Sequence, residues 1–217
     1  MMKELVLATR NPDKAAELAA LLADLGIKVR TLADFPDAPE VVEDGETCEA
    51  NAVKKATVIA RHTGLPTLAD DTGLLVEALS GRPGVHAARY AGEQATYEDN
   101  WRKLLRELNG VPRERRRARF VTVAALVRPV DLGRGARGAG HRASTAGDLK
   151  VDVVEGMLEG LIAESPAGAS GFGYDPVFFV PELGRTLAQL SPGEKNRVSH
   201  RSRALAKIID LLGVSNK

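Results

Sequence analysis

Apolar residues along this chain follow two patterns: short unbroken runs, and longer stretches in which they recur three and four positions apart. The run Glu4-Leu5-Val6-Leu7-Ala8 predicts a buried strand. It breaks at Asn11-Pro12-Asp13, which has the order of a helix start: Asn as N-cap, Pro at the first helical position, Asp in the first turn. Leu18, Leu21, Leu22 and Leu25 then fall at helical spacing, and Gly26 supplies a terminator. A second strand is expected over 27–32 and a loop over 35–40, which holds two prolines. A helix is expected over 46–62, closed by Thr63-Gly64. A strand over 67–69 then runs straight into Asp70-Asp71-Thr72-Gly73.

The alternation continues in the second half. Residues 97–108 place Trp101, Leu104, Leu105 and Leu108 on one face, with Asn109-Gly110 as the stop. Residues 119–127, 149–163 and 177–180 read as strands. Ala204, Leu205, Ile208, Ile209 and Leu212 predict a C-terminal helix. Between two of the strands, 129–147 is rich in glycine and arginine (Arg134, Arg137, Arg142), has almost nothing to bury, and reads as a long loop or hairpin tip. With no repeat and no clear linker, the expectation is one α/β domain over 1–217, with room for two lobes.

Composition narrows the picture. Five Phe, three Tyr and one Trp among 217 residues leave a core of mostly Leu, Val, Ile and Ala. A lone Cys48 excludes an internal disulfide and a cysteine-rich zinc site. Thirty basic residues against twenty-nine acidic ones leave a net charge of +1, which provides no field to gather nucleic acid or an anionic membrane. No signal peptide is evident, and no stretch approaches the roughly 20 apolar residues of a membrane helix. The chain reads as a soluble, cytoplasmic protein.

Four segments can carry chemistry. Thr9-Arg10-Asn11-Pro12-Asp13-Lys14 joins a strand to a helix. A helix N-terminus with Lys14 one turn in suits a phosphate, and the alternative is a well-capped helix with a surface lysine. In Ala69-Asp70-Asp71-Thr72-Gly73-Leu74, two adjacent carboxylates close an apolar strand. They point to opposite faces, so one can hold Mg²⁺ or orient a water while the other is structural; an Asp-Thr-Gly turn with exposed acids is equally open. In Gly171-Phe172-Gly173-Tyr174-Asp175-Pro176, glycines beside aromatics let a flat ring stack on Phe172 and Tyr174, unless those rings turn to the core. Lys195 and Ser199-His200-Arg201 offer cations to a phosphate and donors to a carbonyl, or simply decorate a helix. The run Arg113, Arg115, Arg116, Arg117 and Arg119 has no interleaved aromatics and reads as a solvated connection, and Cys48 reads as a small filler.

The order of these segments resembles the Ham1-like family of inosine and xanthosine triphosphate pyrophosphatases. Thr9 to Lys14 is similar to the family's phosphate motif, and Asp70-Asp71-Thr72-Gly73 to its acidic motif. The stretch 84–92 (GVHAARYAG) is similar to its Gly-x-x-Ser-Ala-Arg-Tyr segment, with Ala87 in place of Ser. Residues 171–178 and Ser199-His200-Arg201 match its two C-terminal motifs. The resemblance implies a mixed central sheet with flanking helices, two lobes around a substrate cleft, and a homodimer. It implies hydrolysis of ITP, dITP and XTP to the monophosphate and pyrophosphate with Mg²⁺. Asp71 would be proton acceptor and metal ligand, and Thr9, Arg10, Asn11, Pro12, Asp13 and Lys14 would hold the triphosphate. Thr72, Phe172, Gly173, Tyr174, Asp175 and Lys195 would contact substrate, and His200 and Arg201 would read the base.

There are departures from the family pattern. Val42-Glu43 stands where two acids are common, leaving Glu43 as the candidate second metal ligand. Ala50-Asn51-Ala52 replaces Glu-Asn-Ala, and Ser170 replaces a glycine. Two other readings stay open from sequence: a Maf-like pyrophosphatase acting on pyrimidine nucleotides, and a non-catalytic RNA-associated module using arginines 113–119 and 134–142.

Overall fold

The computed structural model describes residues 3–130 and 148–213. The glycine- and arginine-rich segment 129–147 therefore lies, from residue 131 on, outside the described residues. The helices are α1 (Pro12–Leu22), α2 (Cys48–Thr63), α3 (Tyr97–Glu107), α4 (Pro192–Val198) and α5 (His200–Leu212). The strands are β1 (Glu4–Leu7), β2 (Lys28–Thr31), β3 (Thr67–Val76), β4 (Pro83–Gly84), β5 (Arg117–Pro129), β6 (Leu149–Ile162), β7 (Phe178–Val180) and β8 (Arg185–Thr186). They form one mixed sheet in the order β2-β1-β3-β5-β6-β7-β8, with β4 paired to β3. β1 runs parallel to β2 and β3, while β3–β4, β6–β7 and β7–β8 are antiparallel.

Local chemistry explains the element ends. Asn11 caps α1, its side-chain oxygen accepting from Asp13 N at 2.9 Å and Lys14 N at 3.2 Å, and Pro12 occupies the first turn. Thr47 caps α2 through Ala50 N, and Gly64 ends it in the left-handed region at φ 68°. The expected strand over 67–69 is in fact ten residues long and passes through the Asp-Asp-Thr-Gly stretch. Local propensity favours a turn there, but pairing with neighbouring strands overrides it. Helix α4 is not visible as a periodic pattern because it has only seven residues. Its capping box is nevertheless in the sequence, with Ser191 at the N-cap and Glu194 bonding back.

The chain divides into two compact units, Met1–Asp70 with Val123–Val154 and Lys207–Lys217, and Asp71–Thr122 with Glu155–Ala206. The core of the first is built from Val6, Ala52, Ala56, Ile59, Ala60, Val123, Ala125 and Val127, small residues that let α2 lie close to the sheet. Cys48 packs against this cluster, as expected of a filler. The second core collects Leu74, Leu104, Leu108, Phe120, Leu158, Tyr174 and Phe178.

The arginine run is not uniformly solvated. Arg116 is buried and donates to the carbonyls of Val111 (2.8 Å), Leu108 (2.9 Å) and Ala163 (3.2 Å). One guanidinium thus satisfies three backbone acceptors that no local pattern announces. The motif segment 84–92 is tied to α3 in the same manner. Asn100 bridges Ala91 N (2.7 Å) and Ala88 O (3.0 Å), and Tyr90 donates to Glu107 at 2.5 Å. Burial, with Glu107 alongside, pushes the Tyr90 phenol up to about 12.

Candidate active site

In the first unit, the segment after β1 places its side chains by mutual hydrogen bonding. Thr9 Oγ1 accepts from Asn11 N at 3.2 Å, and Arg10 donates to Ala38 O at 3.0 Å. Because Asn11 occupies the Asp13 and Lys14 amides, the segment's attraction for an anion rests on its cations rather than on open backbone donors. Lys14 Nζ stands 3.3 Å from Asp70 Oδ2, and Asp70 is only 1% exposed. Lys55 approaches the same residue from α2, donating to Asp70 O at 2.8 Å and to Glu43 Oε2 at 2.8 Å. Two ammonium groups therefore meet the buried Asp70, whose carboxylate would otherwise be costly to desolvate, and one of them also pairs with the part-exposed Glu43.

Lys55 was not foreseen, although a signal exists. It interrupts the Ala52, Ala56, Ile59, Ala60 stripe on the buried face of α2, where a lysine needs a partner.

The second unit begins at Asp71, which is 7% exposed. The strand pattern expected the two acids to divide their work across opposite faces; both are buried, with Asp70 ion-paired to Lys14. Thr72 Oγ1 lies 2.7 Å from Thr122 Oγ1 and accepts from Arg201 Nη2 at 3.4 Å. Thr122 Oγ1 lies 2.6 Å from His200 Nδ1, and the His200 ring stacks on Phe120 with centroids 4.5 Å apart. Thr122, buried on β5, was hidden in a run that reads simply as strand.

Around Phe172 the second unit gathers an aromatic ring and two cations. Asp175 Oδ2 accepts from Phe172 N (2.9 Å) and from Lys195 Nζ (2.5 Å). Lys195 Nζ and Arg201 Cζ stand 4.8 Å and 5.4 Å from the centroid of the half-buried Phe172 ring, and Tyr97 packs against it at 5.7 Å. Gly171 has φ 75°, and a Cβ there would strike the Asp175 carboxylate, so glycine is required.

Tyr174 corrects the expectation of two stacking rings. Its ring is buried in the core and its hydroxyl donates to Ala87 O at 2.8 Å, with burial pushing the phenol well above its usual range. Only Phe172 keeps a partly open ring. Replacing Asp175 with alanine should cost about 3–5 kcal/mol of stability, because Lys195 loses the carboxylate it ion-pairs with inside the protein. Urea denaturation checks this; a loss below about 1 kcal/mol, the range of an exposed pair, would contradict it.

Among the described residues no group of three His, Cys, Asp or Glu side chains could by itself hold a metal. No described helix is long and apolar enough to cross a membrane.

The first unit thus holds a buried Asp70 paired with Lys14, and the second holds a half-buried Phe172 ring beside the buried cations Lys195 and Arg201. The chain belongs to the Ham1 family, whose sequence profile matches residues 5–211. It is 52% identical over 207 residues to a dITP/XTP pyrophosphatase of Geobacillus kaustophilus, covering 95% of this chain and 93% of that one. A Geobacter sulfurreducens protein of the same name is 51% identical, covering 98% of each chain. The solved structure of a HAM1 protein from Coxiella burnetii is similar with a TM-score of 0.80 and 40% identity, over 99% of this chain and 100% of that one.

Proposed function

We propose that this chain hydrolyses dITP, ITP and XTP to the nucleoside monophosphate and pyrophosphate, clearing non-standard purines from the nucleotide pool. The observation that carries the reading is the buried acidic pair on β3, with Lys14 3.3 Å from Asp70, in a chain about half identical to two proteins named dITP/XTP pyrophosphatase. A protein that merely bound a polyanion would gain nothing from burying two acids beside it.

In this account Thr9, Arg10, Asn11, Pro12, Asp13 and Lys14 hold the triphosphate, and Asp71 takes a proton from water. The water oxygen bonds to the α-phosphorus, the α–β bridging bond breaks, and pyrophosphate leaves with the bonding electrons. Thr72, Phe172, Gly173, Asp175 and Lys195 position the nucleoside, Phe172 by its ring face and Lys195 through Asp175. Tyr174 contributes by fixing the backbone of that loop, since its side chain is committed to Ala87 O.

Base choice follows from hydrogen-bond polarity. Arg201 is donor-only and His200 can donate, which suits the 6-oxo group of hypoxanthine or xanthine; the 6-amino group of adenine would leave donors unpaired at about 1–3 kcal/mol each.

The donor set fits Mg²⁺, which takes one or two carboxylates together with substrate phosphates and water rather than a full protein cage. Asp71 is the first candidate ligand; Glu43, held 2.8 Å from Lys55, is the second. When bound, the ion would supply neutralisation of charge on the phosphates. A homodimer and a cytoplasmic location complete the reading and rest on the family resemblance.

The test is a panel of ITP, dITP, XTP, ATP, GTP and dTTP with Mg²⁺ and direct pyrophosphate detection. The 6-oxo purine substrates without a 2-amino group should be turned over at least tenfold faster than ATP, the discrimination expected of one unpaired donor. Equal rates across the panel would overturn the proposal, and preference for dTTP would favour the Maf-like alternative. The RNA-module reading loses ground because Arg116, in the middle of its basic run, is spent on three backbone carbonyls.

A further inference from the structure

Within the first unit, α2 bonds to three successive residues of the chain that precedes it. Lys55 Nζ donates to Glu43 Oε2 at 2.8 Å, Lys54 Nζ donates to Asp44 Oδ1 at 2.6 Å, and Asn51 Oδ1 accepts from Gly45 N at 2.8 Å. We infer that Asn51 is a positioning residue: it pins the Gly45 backbone to α2 and so holds the Glu43 carboxylate in place as a ligand for a divalent cation. The cation's part in catalysis rests on the proposed function; the clamp itself does not.

The direction of the clamp is fixed by its backbone partner. A peptide N–H can only donate, so Gly45 N must face the amide oxygen of Asn51. The other end of the amide, Nδ2, then lies 3.5 Å from Gly45 O. Asn51 is 2% exposed, so these bonds are made out of water, where losing them leaves a buried polar group unsatisfied. The approach is also close. A Cβ on Gly45 would stand 2.6 Å from Asn51 Oδ1 and 2.9 Å from the Ala50 methyl, so only glycine lets the loop come this near.

The three contacts are unequal. Lys54 and Asp44 form an exposed pair, which contributes little. Asn51 and Lys55 are both buried and stand four residues apart on one helix face, so they set the placement. Asn51 fixes the backbone two residues after Glu43, and Lys55 fixes one oxygen of its carboxylate. The Glu43 side chain nevertheless stays 39% exposed. A carboxylate that is tethered yet open to solvent can take a cation without first being ordered, which is what supporting hydrogen bonds do for metal ligands.

Asn51→Leu keeps the branched shape and removes both bonds, while Gly45→Ala attacks the same contact from the loop side. Each is made in wild type and in Glu43→Gln. Three quantities are measured: Mn²⁺ uptake by the substrate-free protein, read by electron paramagnetic resonance; exchange of the Gly45 amide, read by NMR; and the Mg²⁺ concentration that half-saturates ITP hydrolysis. Both substitutions should weaken Mn²⁺ binding and raise the Mg²⁺ requirement about tenfold, the low end for loss of support behind a metal ligand. Both should also free the Gly45 amide to exchange. In Glu43→Gln neither should weaken Mn²⁺ binding further, because the ligand they position is already gone. A purely structural role would lower stability and leave Mn²⁺ affinity where it was.

Unchanged Mn²⁺ affinity in Asn51→Leu would overturn the inference. So would an equal loss with and without Glu43, a wild-type Gly45 amide that exchanges as in an unfolded chain, or a wild-type protein that takes up no Mn²⁺. If Asn51→Leu does not fold, Gly45→Ala in the two backgrounds decides alone. Absence of any pyrophosphate release would refute the proposed function while leaving the Mn²⁺ measurements to judge Asn51.

Discussion

Asp71→Asn should lose about 10²–10⁴-fold in kcat, the range for removing a positioned general base, while the fold and nucleotide binding persist. Asparagine matches aspartate in shape, and Asp71 is enclosed at 7% exposure, so the substitution removes charge and basicity without opening a cavity. Its neighbour provides the control. Asp70 is the acid paired with Lys14 at 3.3 Å, and Lys55 donates to its backbone carbonyl. Asp70→Asn should therefore lower stability as well as activity, because it takes from the part-buried Lys14 the buried carboxylate it pairs with. Binding measured by calorimetry and fold measured by circular dichroism separate the two cases. An Asp71→Asn enzyme that keeps more than about a tenth of wild-type turnover, far above the range for a lost general base, would remove Asp71 from the proposed role.

Gly156→Ala should be among the most damaging single-methyl changes in the second unit. A Cβ on Gly156 of β6 would collide with the carbonyl oxygen of His200 and the backbone of Ala204 in α5. All three of the nearest atoms are backbone, so no side chain can swing aside, and strand and helix must part. We expect a loss of about 3 kcal/mol or more, at the top of the range for overpacking. Because His200 begins α5, activity should fall more steeply than stability alone accounts for. Denaturant unfolding with parallel turnover assays checks both; a stability change under about 1 kcal/mol would mean the helix can shift freely.

What was legible in the sequence was what is decided locally. The strand-to-helix junction at Asn11-Pro12-Asp13 needs only its own residues, and it forms as read, cap included. The apolar runs of β1 and β5 and the leucine face of α3 likewise stand where their periodicity puts them. Local signals misled where distant groups decide. Asp70-Asp71-Thr72-Gly73 has the composition of a turn, but Lys14 and Lys55 arrive from two helices to offset the charge, so β3 continues. Phe172 and Tyr174 are equivalent in sequence, and only the Ala87 carbonyl, far back in the chain, draws one of them inward. Thr122 and Arg116 show nothing locally, since their roles rest on partners 78 and 47 residues away. Lys55 is intermediate: its place on a buried alanine stripe was readable, its partners were not.

The central claim is that water attacks the α-phosphorus of a 6-oxo purine triphosphate. Hydrolysis of ITP in ¹⁸O-labelled water, with products resolved by mass spectrometry, tests it most directly. The account predicts one labelled oxygen in the inosine monophosphate and none in the pyrophosphate. Label in pyrophosphate, or stepwise release of labelled orthophosphate, would contradict it.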